Sequence, residues 1–352
     1  MEFVQSQSRA DEVLEKAFTS SLTRAFYLDI EADNFHHYQE ILCTIQMFVN
    51  GQFYLLDAIA LDLSGWFLKI LEEKHIWLHG CDYDLYLLDR YLGKTPSKLY
   101  DTQLAARFCG FRKFGYAPLV EQICGVRLPK DSQRADWTKR PLPQKMIQYA
   151  ENDVRYLPQI SDILLDRLDK KKRMKWFLES CSELILNKKQ VTKIADPWRI
   201  SGAGQLSAAE LRFLKPLYYW RDKQAREVDK PIFKVLNNQQ LITISKTLAK
   251  SEIVTPMKGF NTSRQDSFEV VVNEAIALSE DEWPQRLPRK VHQKVIIDED
   301  KLDGLIAQRD KVAKQLNIEG SFIASRKVLE AIVKNPENVT ELLNWQRELL
   351  QL

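Results

Sequence analysis

Between residues 25 and 93 short β-rich runs alternate with helical periodicities, and beyond about residue 141 only helical periodicities remain. Alternating strands and helices build an α/β layer, whereas helix after helix builds bundles, so the change splits the chain into an α/β part and an all-helical part. AFYLDIEA (25–32) is a short aromatic, β-rich run. CTIQMFVN (43–50) and QFYLLDAIA (52–60) flank Asn50-Gly51, a dipeptide that readily takes the two left-handed conformations of a type I′ hairpin turn. These three runs predict an antiparallel start to a sheet. GWFLKILEE (65–73) repeats its apolar residues at three and four positions, as a helix requires. HIWLHG (75–80) reads as a buried strand and DLYLLDRYLG (84–93) as a helix stopped by Gly93. The sheet is expected to be mixed.

At 352 residues the chain exceeds one ordinary domain. Asp196-Pro197 and SGAG (201–204) interrupt the helical pattern. Ser207 then stands three residues before Glu210, the spacing of a capping box. A second break falls at WPQRLPRK (283–290), and helical sequence resumes to the end. The expected domains are 1–195 for the α/β part, 205–283 for one helical module and 290–352 for another. The basic stretch DKKKRMK (169–175) could meet phosphates, but a solvated helix face is the favoured reading.

Composition narrows the function classes. With 45% hydrophobic and 28% charged residues the chain is that of a soluble globular protein. There is no apolar run near the ~18 residues a membrane helix needs, and MEFVQSQSRADEVLEKAF is too acidic and too polar for a signal peptide. Five scattered cysteines form no Cys-x-x-Cys pair, so neither a zinc site nor a disulfide framework is legible. A cytoplasmic protein without a membrane or obligate protein partner is expected. A net charge of +3 permits nucleic-acid binding without arguing for it.

Chemistry-bearing residues come in three groups. Asp29 and Glu31 are two apart in a strand and leave the same face. Side-by-side carboxylates in an apolar strand repel and lose hydration, costs that a bound divalent cation relieves. Asp84 opens a helix after a strand, where it could equally cap the helix or serve a site, and Asp82 is an alternative occupant of the same role. Tyr149 and Asp153 are four apart on a helix and share a face.

In order, DIE (29–31), HGCDYDLYLL (79–88) and YAENDVRYL (149–157) resemble the three motifs of the DEDD superfamily of 3′→5′ exonucleases. The tyrosine four residues before the last aspartate resembles that superfamily's tyrosine branch. YDTQLAARF (100–108), GYAPLVEQICGVRL (115–128) and RADWTKRPL (134–142) are similar to the ribonuclease D family within it. WRISGAGQLSAAELRFLKPLYYWRDKQAREVDKPIFKVL (198–236) resembles that family's linker and first HRDC module. LNIEGSFIASRKVLEAIVKN (316–335) and LLNWQRELL (342–350) resemble its second C-terminal module.

The resemblance implies an α/β ribonuclease H-like exonuclease domain with a mixed sheet, followed by two small all-α HRDC-type domains. It implies two divalent cations, Mg²⁺ or Mn²⁺, held by Asp29, Glu31, Asp84 and Asp153, with Tyr149 orienting the attacking water. The implied substrate is RNA, with tRNA precursors or other structured RNA foremost. Lys130 and Arg140 are expected to neutralise phosphates and Trp137 to stack a base, although a tryptophan in the core fits the sequence equally well. In the first HRDC-type module Asn238 stands where an aspartate is common. Two other readings stay open at this point: a DNA exonuclease of the same superfamily, and a non-catalytic RNA-binding protein on a nuclease fold.

Overall fold

The computed structural model describes residues 1–129, 134–186, 196–252, 260–286 and 297–352. They fall into two compact units: Met1–Ala32 with Leu42–Lys189 and His292–Leu352, and Asp33–Ile41 with Gln190–Val291.

The first unit opens with β1 (Glu2–Val4), α1 (Gln7–Thr19), β2 (Phe26–Asp33), β3 (Ile41–Val49), β4 (Gln52–Asp57), α2 (Trp66–Glu73), β5 (His75–Leu78), α3 (Asp82–Leu92) and β6 (Lys98–Asp101). Among the described residues the six strands form one sheet in the order β1-β4-β3-β2-β5-β6. β3 and β4 are antiparallel across a turn in which Asn50 and Gly51 both have positive φ, 49° and 77°. β1 is parallel to β4, β5 to β2, and β6 to β5, so the sheet is mixed. β2 alternates strictly over its first six residues: Phe26, Leu28 and Ile30 are buried while Tyr27, Asp29 and Glu31 are partly exposed on the other face. That period of two points both carboxylates of the DIE motif the same way.

Five helices follow: α4 (Thr102–Cys109), α5 (Tyr116–Cys124), α6 (Gln144–Arg155), α7 (Leu157–Lys170) and α8 (Met174–Leu186). The DKKKRMK stretch is not one helical face. α7 ends within it, Lys172 takes a positive φ of 56°, and Arg173 turns inward to become buried.

The C-terminal helices are α13 (Glu299–Leu316), α14 (Gly320–Ile323), α15 (Arg326–Lys334) and α16 (Asn344–Leu350). A separate module over 290–352 is not what the structure shows. Leu302, Ala313, Ile318, Ile323, Leu329 and Trp345 share one apolar cluster with Trp77, Phe108, Leu164 and Phe177 of the α/β half. Trp345 sits against Phe108, Trp176 and Phe322 at ring distances of 5.1, 5.8 and 5.7 Å. Polar clamps reinforce the seam. Arg173 donates to the Phe108 carbonyl at the end of α4 and to the Leu316 carbonyl at the end of α13, at 2.5 and 2.7 Å. A cation is favoured at both helix C-termini. Glu179 of α8 accepts the Asn344 and Trp345 amides at the start of α16.

The second unit contains α9 (Ala208–Glu227), α10 (Ile232–Val235), α11 (Asn238–Ala249) and α12 (Thr262–Ala277) around a core that includes Trp198, Leu214, Trp220, Leu241 and Phe268. The capping box is present: Ser207 Oγ accepts the Glu210 amide, and Glu210 accepts the Ser207 amide at 2.7 Å. No helix of the described residues is long and apolar enough to cross a membrane.

Candidate active site

Three elements converge on one acidic centre. β2 supplies Asp29 and Glu31, α3 supplies Asp84 at its third residue, and α6 supplies Tyr149 and Asp153 one helical turn apart. Ligand oxygens of Asp29, Glu31 and Asp153 all lie within 4.8 Å of one another. Asp84 is buried and close enough that its charge is felt by Glu31 and that it feels the charge of Asp29. Four carboxylates from three separate stretches of sequence therefore form one cluster.

The cluster resists ionisation. Burial, then the Asp153 charge, holds the Asp29 carboxyl well above the ordinary range, against a hydrogen bond from the Ile30 amide. Glu31 is raised by burial and then by Asp29, Asp153 and Asp84. Asp84 is raised by burial, by Asp29 and by Asp101, with its own amide and that of Ile30 pulling the other way. Burial pushes Asp153 up to about 7 even though Tyr149 hydrogen-bonds it. The Tyr149 phenol is pushed far above its usual value by burial and by Asp153, Glu31 and Asp29, so it stays protonated at neutral pH and acts as a donor.

Such a cluster suits hard divalent cations. Its donors are all carboxylate oxygens, with no thiolate or imidazole among the grouped ligands, which favours Mg²⁺ or Mn²⁺ over softer ions. Asp153 Oδ2 is buried and has no hydrogen-bond partner among the described residues, an orphan acceptor that a cation would satisfy. Positive charge at the centre would also offset the repulsion that raises Asp29, Glu31 and Asp84 and the burial that raises all four carboxyls.

The expected substrate contacts fare differently. Trp137 is 1% exposed, with its ring 6.1 Å from that of Tyr149. It packs behind the phenol and offers no open face to a base, which corrects the stacking expectation. Arg140 is likewise committed elsewhere. Its Nε and Nη2 hold Asp57 at 2.6 and 2.5 Å, Nη2 reaches the Cys43 carbonyl, and Nη1 bonds the Trp137 and Lys139 carbonyls. A guanidinium with its donors so engaged braces the loop to β4 and has little left for a phosphate. Lys130 lies outside the described residues.

Sequence reasoning missed the residues that fasten the loop before Asp84. Asp101 N-caps α4 and accepts the Gln103 amide at 2.6 Å. It also accepts the amides of Gly80 and Cys81 at 2.9 and 3.2 Å. The available signal was an aspartate at a strand-to-helix junction inside YDTQLAARF.

Comparison with known proteins places this geometry in a lineage. A family model described as 3′-5′ exonuclease matches residues 1–169, and one described as HRDC domain matches residues 210–253. Ribonuclease D of Pseudomonas paraeruginosa is 32% identical over 310 residues, covering 84% of this chain and 81% of its own. Ribonuclease D of Escherichia coli is 28% identical over 342 residues, covering 93% and 90%. The crystal structure of E. coli RNase D, described as an exoribonuclease involved in structured RNA processing, superposes with a TM-score of 0.70 at 24% identity, covering 99% of this chain and 98% of that one. A Bifidobacterium adolescentis protein gives a TM-score of 0.82 at 20% identity over 99% and 95% of the two chains.

Proposed function

The chain belongs to the ribonuclease D family, and on that premise we propose how its acidic centre works as a metal-dependent 3′→5′ exoribonuclease. The observation that carries the reading is the meeting of Asp29, Glu31 and Asp153 oxygens within 4.8 Å, beside buried Asp84 and a protonated Tyr149.

Asp29, Glu31, Asp84 and Asp153 hold two divalent cations, Mg²⁺ or Mn²⁺. When bound, the cations supply charge neutralisation at the scissile phosphate and at the departing oxygen and make the attacking water more acidic. The protein's own groups do the rest. The four carboxylates fix the charge on one face of β2, and the Ile30 amide orients two of them. Tyr149, hydrogen-bonded to Asp153 and backed by Trp137, orients the attacking water. Its raised pKa excludes it as the base, so it positions the nucleophile without deprotonating it. The water oxygen attacks the last phosphorus in line, and the P–O3′ bond breaks. A nucleoside 5′-monophosphate leaves and the shortened chain keeps a 3′-hydroxyl.

The substrate proposed is structured RNA, with the 3′ ends of tRNA precursors foremost. The helical second unit fits a role in holding it. Matched 3′-labelled RNA and DNA of one sequence, each with and without EDTA, test the reading. The expected result is Mg²⁺-dependent release of mononucleotides from RNA at a rate well above that from DNA. Preferential digestion of the DNA, or release unaffected by EDTA, would overturn it.

A further inference from the structure

Asp84 reaches the acidic centre from the third residue of α3, so its position depends on where that helix begins. The three residues before the helix, His79, Gly80 and Cys81, are not held by strand pairing, since β5 ends at Leu78. They are held by two neighbouring side chains at the junction of β6 and α4. Asp101, 3% exposed, accepts three backbone amides, from Gly80, Cys81 and Gln103, at 2.9, 3.2 and 2.6 Å. It makes no ion pair among the described residues; the three amide dipoles hold the buried carboxylate, and the Arg107 guanidinium is near enough to feel its charge. Thr102, fully buried, donates its hydroxyl hydrogen to the Leu78 carbonyl at 3.1 Å. The hydroxyl oxygen meets His79 Nδ1 at 2.8 Å, which makes Nδ1 the protonated nitrogen of that ring.

Gly80 completes the fastening. Its φ is +66°, and a Cβ there would come within 2.9 Å of the Gln103 side chain. The loop is thus pressed directly onto the first turn of α4. Cys81 in turn starts α3, its carbonyl accepting the Leu85 amide at 2.9 Å. The chain of contacts runs from Asp101 and Thr102 through the 79–81 loop to the first turn of α3 and so to Asp84.

We propose that Asp101, seconded by Thr102, is a positioning residue for the metal centre: it fixes the start of α3 and thereby the approach of Asp84 to the cations. The inference rests on the assignment of Asp84 as a metal ligand. Residues that orient a ligand from behind typically change metal affinity or activity by about 10- to 100-fold when lost. Neither Asp101 nor Thr102 belongs to the group of Asp29, Glu31 and Asp153 oxygens, and Asp101 meets Asp84 through its charge and through the loop, so substrate affinity should be untouched.

The test uses the full chain carrying Asp101→Asn or Thr102→Val, the latter removing the hydroxyl at nearly constant volume. Mn²⁺ binding is measured by electron paramagnetic resonance without RNA, and the Mg²⁺ dependence of kcat and KM is measured with RNA. The expected result for Asp101→Asn is weaker Mn²⁺ binding and a kcat reduced by about 10- to 100-fold at fixed Mg²⁺, with KM for RNA within about twofold of wild type. Thr102→Val should shift both in the same direction by less. Wild-type Mn²⁺ affinity in both folded variants would overturn the proposal. If Asp101→Asn does not fold, Thr102→Val decides alone: weaker Mn²⁺ binding supports the inference and unchanged binding refutes it. Asp84→Asn is run alongside. Full activity there would sink the ligand assignment itself, a failure distinct from an inactive Asp84→Asn beside an unperturbed Asp101→Asn.

Discussion

Truncating Trp345 to alanine should destabilise the catalytic half of the protein, although the residue lies near the C-terminus and far from Asp84 in sequence. The indole is 2% exposed and packs on Phe108 and Trp176, both from the α/β half, and on Phe322. Removing a buried tryptophan costs about 3–5 kcal/mol in lost transfer energy and cavity formation. The indole N–H also donates to Ser180 Oγ at 3.1 Å, and that buried hydroxyl would lose its partner. A loss of about 4 kcal/mol is therefore expected, which for a unit of this size lowers Tm by about 8–16 °C. Thermal unfolding followed by circular dichroism at 222 nm, in parallel with residual nuclease activity after heating, measures it. Both midpoints should fall together, because α4 and α8 contribute to the same core as α16. A nuclease midpoint that stays at the wild-type value would refute the shared core and restore an independent C-terminal module. So would a total loss below about 1 kcal/mol, the usual effect of a surface change.

Further expectations follow from the buried charges. Arg140→Ala should lower stability by about 2–3 kcal/mol by stranding buried Asp57, while leaving KM for RNA within twofold; a large rise in KM with unchanged stability would return Arg140 to the substrate path. The same pair sets an acid limit. Burial pushes the Asp57 carboxyl up, but the hydrogen bonds from Arg140 and Gln5 and the Arg140 charge outweigh it and hold it below the usual range. A depressed carboxyl contributes stability above its unfolded value of about 3.9 and loses it as pH falls through the folded value. The gap between wild type and Arg140→Ala in urea unfolding should accordingly be full at pH 6 and shrink below pH 4; a gap independent of pH would contradict it. In the second unit Arg221 is 1% exposed, lies 5.1 Å over the Tyr218 ring, and among the described residues hydrogen-bonds the Leu236 carbonyl and Asn238 Oδ1 at 3.0 and 2.9 Å. Beyond the charge of Asp222, Asn238→Asp would give it a directly bonded counter-charge at the first residue of α11 and should raise that unit's stability by about 1 kcal/mol, read by urea unfolding; a decrease would refute the reasoning.

The parts legible in the sequence were those set by short-range periodicity. Two residues apart in a strand put Asp29 and Glu31 on one face, and four apart on a helix put Tyr149 beside Asp153. Asn50-Gly51 and the Ser207–Glu210 box were readable because each needs only local conformation. β1 and β6, three and four residues long, are too short to display a period and went unread. The C-terminal helices illustrate a different limit. Their apolar stripes announce that something must be covered, but a stripe does not name its partner, and the partner proved to be α4 and α8. Arg173 was hidden among lysines, since nothing local distinguishes a buried cation from its solvated neighbours. Trp137 and Arg140 looked like nucleic-acid contacts because aromatic and basic residues near a nuclease motif suit that task. Their side chains are instead taken up by Tyr149 and by Asp57.

In the proposed mechanism Asp29, Glu31, Asp84 and Asp153 act as one metal-holding set. The most direct measurement is single-turnover release of nucleoside 5′-monophosphate from 3′-labelled RNA by each carboxylate-to-amide variant, at saturating Mg²⁺ and with the fold checked by circular dichroism. Removing one ligand forfeits several kcal/mol of transition-state stabilisation, so each variant should fall by about 10³-fold or more. A folded variant at any of the four positions that retains the wild-type rate would contradict the account.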